Sequence, residues 1–266
     1  MLDVSGAAVR IALVTAPGPG TVETPLLLLN GIATSLENWR PLAARLAATR
    51  TVVMVDAPGA GRSELPRRPL RMADLARVVV AVLDELGLAM VDVLGWSWGG
   101  ALAQQLARQA PDRVRRLVLV ATTPGVGGRP PALAPLLVLA TPLYYALGHR
   151  VAAWTPALFG GASARGGADS PVLAQLLREP ARPLGYAAQL WAYAGWSSLR
   201  WLHRIPQSTL VIGGGDDPLV PIHNARLLAG GIPRARLEER PGAGHLWLLE
   251  DAGDSAALIQ DFLAAH

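Results

Sequence analysis

A serine stands between two glycines in the stretch Gly95-Trp96-Ser97-Trp98-Gly99, directly after an apolar segment at 91–94 and before a helical pattern at 101–108. A strand that turns sharply into a helix needs small residues on both sides of the turn, and it lifts the central hydroxyl clear of the sheet edge. The surroundings of Ser97 therefore predict a nucleophile rather than an ordinary turn serine.

A carboxylate and an imidazole follow later in the chain, each after a predicted strand. Asp217 lies in a loop after the strand at 209–212, and His245 lies in a glycine-rich loop after the strand at 236–239. Histidine can take the proton of a serine hydroxyl, and a buried aspartate fixes its tautomer and stabilises the imidazolium. The order Ser, Asp, His resembles that of the α/β-hydrolase fold. We interpret the other histidines as surface or core residues: His149, His203, His223 and His266.

Two adjacent acids, Asp216 and Asp217, compete for the role of orienting the histidine. Asp217 stands three residues after Gly214 and four before Pro221, as in the family pattern, and is the favoured candidate. Asp216 is interpreted as a solvated loop acid.

Two backbone amides are candidates for binding the oxyanion that forms during acyl transfer. The amide of Trp98 comes directly after the nucleophile at the start of a helix, where N–H groups have no intrahelical partner. The other amide is that of Ile32, which follows Asn30-Gly31 at the end of the apolar strand at 26–29. This position resembles the family's His-Gly oxyanion loop, with Asn30 in place of the more usual histidine.

Strand patterns alternate with helix patterns from the second strand onward, which predicts a mostly parallel sheet flanked by helices. The resemblance implies the α/β-hydrolase fold, with a core formed by 1–124 and 203–266. Between 125 and 202 the alternation fails, and we predict an inserted, mainly helical cap. Strands are predicted at 9–14, 26–29, 51–55, 91–94, 114–121, 209–212 and 236–239, and helices at 39–47, 72–86, 101–108, 222–228 and 255–264.

The cap is rich in aromatic residues, which either form its own core or line a pocket over the serine. We predict a substrate pocket formed by Asn30, Trp96, Trp191, Trp196 and Leu246. The other aromatic residues of the cap are Tyr144, Tyr145, Phe159, Trp154, Tyr186, Tyr193 and Trp201.

Composition narrows the class of protein. The 266 residues are 51% apolar, which suits one large α/β core with an insertion rather than two domains. Cysteine is absent, so a disulfide framework and a thiolate metal site are excluded, and no metal or organic cofactor is implied. The 24 basic residues are all arginine and are scattered, and the net charge is only +4, which does not indicate nucleic-acid binding.

Membrane insertion and secretion are not expected. The most apolar window, 135–147, is interrupted by Pro142 and is shorter than the ~20 residues that a membrane-spanning helix needs. The first residues lack a sustained apolar segment of the signal-peptide kind, so we expect a cytoplasmic protein. The sequence does not decide the oligomeric state.

Beyond the superfamily, the chain resembles intracellular medium-chain-length poly(3-hydroxyalkanoate) depolymerases. The resemblance implies a polyester of 3-hydroxy fatty acids as substrate, and the surface of a polymer granule as the partner. It rests on short segments distributed over most of the chain: 30–32, 97–105, 195–203, 213–221 and 244–246. The first half of the cap, 126–182, departs most from this pattern.

Two other functions remain open at this stage. The same triad serves esterases, lactonases, thioesterases and carbon–carbon bond hydrolases that act on one small apolar molecule. A binding protein or granule-coat component on the same fold, with negligible turnover, belongs to a different class. The intact set of Ser97, Asp217 and His245 favours an enzyme.

Overall fold

Runs of leucine and valine form the central strands, because segments that are apolar on both faces suit a sheet covered by helices on both sides. The structure is a computed structural model that describes residues 1–4, 7–15, 23–140, 158–166, 170–178 and 182–265. Its strands are β1 (Leu2–Val4), β2 (Ala7–Val9), β3 (Ile11–Val14), β4 (Leu26–Leu29), β5 (Val52–Val55), β6 (Val91–Trp96), β7 (Val114–Val120), β8 (Ser208–Gly214) and β9 (Ala235–Arg240).

Seven of the described strands form one sheet in the order β3-β5-β4-β6-β7-β8-β9. β3 runs antiparallel to β5 and the other neighbours are parallel, which confirms the predicted mostly parallel sheet. β1 and β2 pair as a separate antiparallel hairpin. The strand predicted at 9–14 is divided at Arg10, because its N–H donates to the Ser63 hydroxyl (2.7 Å) and its carbonyl accepts the Asp56 N–H (3.0 Å).

Helices cover both faces of the sheet. α2, α3 and α8 pack on the face that receives Leu27 and Leu29 of β4, and α1 and α10 pack on the face that receives Leu26 and Leu28. The helices are α1 (Arg40–Leu46), α2 (Met72–Glu85), α3 (Trp98–Gln109), α4 (Leu133–Ala140), α5 (Gly161–Gly166), α6 (Pro171–Arg178), α7 (Pro183–Tyr193), α8 (His223–Gly231), α9 (Trp247–Glu250) and α10 (Ala252–Ala264).

Two helices begin earlier than the sequence predicts. α10 begins at Ala252 instead of residue 255, because the Asp251 carboxylate caps it by accepting the Asp254 N–H (3.0 Å). α3 begins at Trp98, directly after Ser97, instead of residue 101. The start of α3 therefore includes the two glycines that follow the serine and tryptophan.

The described part of the insertion at 125–202 contains α4, α5, α6 and α7. At its base, Gly125 and Ser197 form an antiparallel bridge. Three of the aromatic residues noted in the cap, Tyr144, Tyr145 and Trp154, lie outside the described residues. The boundaries of the cap stay a prediction.

The turn from β6 into α3 is packed too closely to admit side chains at its glycines. A Cβ atom added at Gly95 would lie 2.5 Å from the carbonyl oxygen of Gly99. One added at Gly99 would lie 2.5 Å from the carbonyl oxygen of Asn30 and closer still to that of Leu29. Since these are backbone atoms, no side-chain rotation relieves the contact, and the glycines are what let α3 start directly after Ser97.

We expect Gly99→Ala to lower the free energy of unfolding by about 3 kcal/mol or more, because overpacking against backbone forces the sheet and α3 apart. Chemical denaturation measures this. The matched control is Gly230→Ala on the exposed surface of α8, where an added Cβ meets nothing and alanine improves helix propensity. Equal stability of the two variants would contradict this account of the turn.

Candidate active site

Ser97 lies at the carboxyl end of β6 in a strained backbone conformation, with φ 56° and ψ −121°. Such a conformation costs about 1–3 kcal/mol and persists where its surroundings fix it. The Ser97 N–H donates to the carbonyl of Val120 (2.9 Å), and its own carbonyl accepts from the Thr122 hydroxyl (2.6 Å) and the Gly100 N–H (2.9 Å). Ser97 is partly exposed although its neighbours on both sides are buried. The fold thus presents this hydroxyl to a ligand.

The structure brings Ser97, His245 and Asp217 together. His245 Nε2 lies 3.1 Å from Ser97 Oγ, and His245 Nδ1 lies 2.8 Å from Asp217 Oδ2. The carboxylate can only accept, so Nδ1 carries the proton and Nε2 is left to accept from the serine hydroxyl. This arrangement can move a proton from Ser97 Oγ to His245 Nε2.

The two competing acids differ sharply in their surroundings. The Asp217 side chain is fully buried, and its Oδ1 accepts the N–H groups of Leu219 (2.9 Å) and Val220 (2.8 Å). The Asp216 side chain is about half exposed and lies 3.7 Å from Arg165 in an ion pair. Of these two acids, only Asp217 contacts His245 in the described part of the chain.

His245 is fixed by its backbone and by two rings. Its N–H donates to the carbonyl of Phe159 (2.7 Å), and its carbonyl accepts from the Trp96 indole (3.2 Å). The imidazole packs against the rings of Trp96 and Phe159, at centroid distances of 5.6 Å and 6.1 Å. Its orientation therefore depends on the core and on the insertion together.

Ile32 and Trp98 line the same cleft as Ser97. Neither of their backbone N–H groups has an acceptor among the described residues. The loop that carries Ile32 lies directly against the serine, since a Cβ at Gly31 would be 3.5 Å from Ser97 Cβ. Within the described part of the chain, both predicted oxyanion donors thus lie close to Ser97 with no acceptor.

A buried polar cluster supports this loop from the core side. Asn30 donates to Asp56 Oδ1 (3.0 Å) and accepts from the Trp39 indole. Asp56 also accepts the N–H groups of Leu36 (2.7 Å) and Arg62 (3.3 Å). Burial raises the pKa of Asp56 to about 6, because these donors, with Arg10 at 3.7 Å, only partly offset the loss of water.

The cleft has a volume of about 540 Å³ and a mostly apolar wall. Its size falls in the range of small-molecule sites. The insertion contributes Tyr186, Leu190 and Tyr193 from one face of α7. The cleft is also lined by Thr123, Val126, Leu136, Leu219, Val220 and Asn224.

The five residues predicted to form the pocket are not among those that line this cleft in the described structure. Asn30, Trp96 and Leu246 are buried beneath the triad, with 5%, 3% and 1% of their surface exposed. Trp191 is 48% exposed under the guanidinium of Arg71, and the Trp196 indole donates to the Gln105 side chain (2.7 Å).

The difference has a simple physical reason: proximity in sequence to a catalytic residue does not fix the direction of a side chain. On α7 the i, i+4, i+7 spacing of Tyr186, Leu190 and Tyr193 puts these three on one face, away from Trp191. That spacing was the available signal for the residues that sequence reasoning missed.

Two structural features are absent from the described part of the chain: a cluster of metal ligands and a membrane-spanning helix. Among the described residues, no group of three or more histidine, aspartate or glutamate side chains is placed to hold a metal ion. Within the same residues, no helix is both long and apolar enough to cross a membrane.

Known proteins resemble this chain over most of its length. A family model described as the alpha/beta hydrolase fold matches residues 24–147 and 177–252. The chain is 42% identical over 253 residues to a poly(3-hydroxyalkanoate) depolymerase of Ectopseudomonas oleovorans, covering 94% of this chain and 88% of that protein. It is 31% identical over 271 residues to a 2-hydroxymuconate semialdehyde hydrolase of Pseudomonas sp. strain CF600, with 98% and 88% covered. The crystal structure of an enol-lactonase from Burkholderia xenovorans LB400 matches with a TM-score of 0.85 at 26% identity, covering 99% of both chains.

The raised pKa of Asp56 predicts a pH dependence of stability. Its pKa is 3.8 in an unperturbed chain and about 6 when folded, so between these values the folded state binds more protons than the unfolded state. Stability from this group is therefore complete below about pH 4 and is lost as the pH rises through about 6.

We expect the free energy of unfolding of the wild type, relative to Asp56→Asn, to fall by about 3 kcal/mol across this window. Urea denaturation at a series of pH values measures it. Asp3→Asn, which removes an exposed carboxylate, is the control for loss of one charge and should follow the wild type. A constant difference between wild type and Asp56→Asn would show that Asp56 does not titrate there.

Proposed function

The chain belongs to the alpha/beta hydrolase fold family, and from that premise we propose that it cleaves carboxylic esters with Ser97, His245 and Asp217 through an acyl-enzyme. The observation that carries this proposal is the continuous contact from Ser97 Oγ to His245 Nε2 (3.1 Å) and from His245 Nδ1 to Asp217 Oδ2 (2.8 Å). Ser97 lines one cleft with Ile32 and Trp98, whose backbone N–H groups have no acceptor among the described residues.

In the first half of the reaction, Ser97 Oγ attacks the ester carbonyl carbon while its proton passes to His245 Nε2. Asp217 keeps Nδ1 protonated and stabilises the imidazolium. The carbonyl oxygen becomes an oxyanion, which the Ile32 and Trp98 amides bind, and each donor of this kind contributes about 10²–10³-fold to kcat. His245 then gives its proton to the alcohol, which leaves.

In the second half, water takes the place of the alcohol. His245 accepts a proton from the water as it attacks the acyl-enzyme, and the same two amides bind the second oxyanion. Collapse of this intermediate returns the proton to Ser97 and releases the carboxylic acid. The ester and one water supply every atom of the products, and Ser97 and His245 return to their starting protonation states.

For the substrate, we infer an ester of medium-chain 3-hydroxy fatty acids, as in poly(3-hydroxyalkanoate). Two observations support this inference. The depolymerase relative is 42% identical over 94% of this chain. The cleft is large and mainly apolar, with Leu190, Leu219 and Val220 in its wall, which suits an alkyl side chain. A granule surface as partner and a cytoplasmic location belong to the same proposal.

A second candidate is hydrolysis of a small apolar molecule, such as a soluble ester, a lactone or a carbon–carbon bond. It is favoured by the relative named for 2-hydroxymuconate semialdehyde hydrolysis and by the structural similarity to an enol-lactonase. The triad and oxyanion donors would serve these reactions equally, so the substrate alone separates the two candidates.

We expect Asp217→Asn to lower kcat for an octanoate ester by about 10⁴-fold, because His245 would take the wrong tautomer. Asp216→Asn is the matched control and should retain nearly full activity, since its side chain faces solvent. Equal losses in the two variants would contradict the assignment.

A fluorophosphonate should label the wild type but not Ser97→Ala. A folded wild type that resists labelling would favour a binding protein.

The substrate proposal predicts that the wild type releases 3-hydroxyoctanoate from medium-chain polyester granules and that Ser97→Ala releases none. Chromatography of the soluble acid measures this directly. If the wild type hydrolyses a soluble octanoate ester but leaves the granules intact, the depolymerase proposal fails and the small-molecule candidate stands.

A further inference from the structure

One residue of the insertion bonds to both segments that carry the proposed oxyanion donors. Gln189 lies on α7 and is 2% exposed. Its side-chain Oε1 accepts the N–H of Ala33 (3.0 Å), next to Ile32. Its backbone carbonyl accepts the indole N–H of Trp98 (3.1 Å). Gln189 therefore spans the gap between the Ile32 loop and the start of α3.

The Ile32 loop needs support of this kind. Ala33 has a φ of 62°, a left-handed conformation that alanine rarely adopts and that costs about 1–3 kcal/mol. On the core side the loop is fixed at Asn30, through Asp56 and Trp39. On the cap side, the bond from Gln189 to the Ala33 N–H restrains the residue directly after the donor amide.

The other half of the Gln189 amide points to a role beyond packing. Since Oε1 faces an N–H donor, the orientation of the amide is fixed by that bond. Gln189 Nε2 is buried and has no hydrogen-bond partner among the described residues. Leaving a buried donor unsatisfied costs about 1–3 kcal/mol, and an apolar residue would avoid that cost. The bond to the Ala33 N–H, which an apolar residue could not make, therefore accounts for glutamine at this position.

We propose that Gln189 is a positioning residue that holds the Ile32 amide at the place where the oxyanion forms, and so makes completion of the oxyanion hole depend on the docked cap. This inference rests on the proposed function. Without the bond to Ala33, the loop keeps its core-side support but loses the restraint next to the donor.

The test compares two inhibitors with the same alkyl chain. An octyl trifluoromethyl ketone forms a covalent adduct: Ser97 Oγ adds to the carbonyl carbon, its proton passes to His245, and the carbonyl oxygen becomes an oxyanion. The corresponding secondary alcohol fills the same cleft but forms neither the bond nor the oxyanion. The ratio of their affinities therefore reports on the oxyanion hole separately from the cleft.

We expect Gln189→Met to weaken the ketone by about 10–100-fold, somewhat less than the loss of a whole donor, and the alcohol by less than about 3-fold. For the octanoate ester, kcat should fall by a similar factor with little change in KM. Gln189→Asn, which keeps the amide but is one methylene too short to reach Ala33, should behave in the same way and carries the test if the methionine variant does not fold.

The matched control is Gln105→Met. The Gln105 side chain also joins core to insertion, by accepting from the Trp196 indole (2.7 Å), but it does not contact the Ile32 loop. The Gln105→Met variant should therefore keep the wild-type ratio of ketone to alcohol affinity. A general loosening of the cap would instead weaken both inhibitors in every variant.

Several outcomes would overturn the inference. Unchanged ketone affinity in folded Gln189→Met and Gln189→Asn would do so, as would equal weakening of ketone and alcohol. These results are distinct from failure of the proposed function, in which the wild type itself would form no adduct with the ketone and would resist the fluorophosphonate.

Discussion

The close approach of α3 to the sheet is the constraint on which the rest of the site depends. Gly95 and Gly99 let the helix start directly after Ser97, within contact of the β4 backbone. Because of that approach, the first turn of α3 lies beside the loop that follows β4, so that the Trp98 and Ile32 amides share one cleft. A single packing contact thus places Ser97, the proposed nucleophile, and both proposed donors, and the strained φ of Ser97 is its cost.

Two buried carboxylates near this turn are stabilised in different ways, and the difference matches their roles. Asp217 Oδ1 accepts two backbone N–H groups, and its Oδ2 lies against His245 Nδ1. Asp56 accepts several N–H groups as well, but they only partly offset the loss of water on burial, and its pKa rises to about 6. Asp56 supports the Ile32 loop through Asn30, whereas Asp217 is placed against His245.

The sequence was sufficient for the features that depend on local pattern. The parallel sheet and the family followed from the alternation of strands and helices and from the order of Ser97, Asp217 and His245, and comparisons with known proteins agree. The lining of the cleft was not predictable in this way. Trp96 adjoins the nucleophile yet points into the core, because alternate residues of a strand face opposite sides. The spacing of Tyr186, Leu190 and Tyr193 groups them on one face of α7. Which way that face points depends on how α7 docks on the core, and local spacing does not encode the docking.

Docking of the insertion also bears on the proposed catalysis, because the insertion contacts both His245 and the loop that carries Ile32. The carbonyl of Phe159 accepts the N–H of His245, the residue that would carry the proton in the proposed mechanism, and Gln189 accepts the N–H of Ala33, next to a proposed oxyanion donor. The same insertion supplies the α7 face that lines the cleft. A change in the cap that alters which substrates fit therefore also shifts the supports of the catalytic groups. The proposed function therefore couples substrate range to turnover, because replacing the cap would keep Ser97, His245 and Asp217 but remove the contacts that Phe159 and Gln189 make.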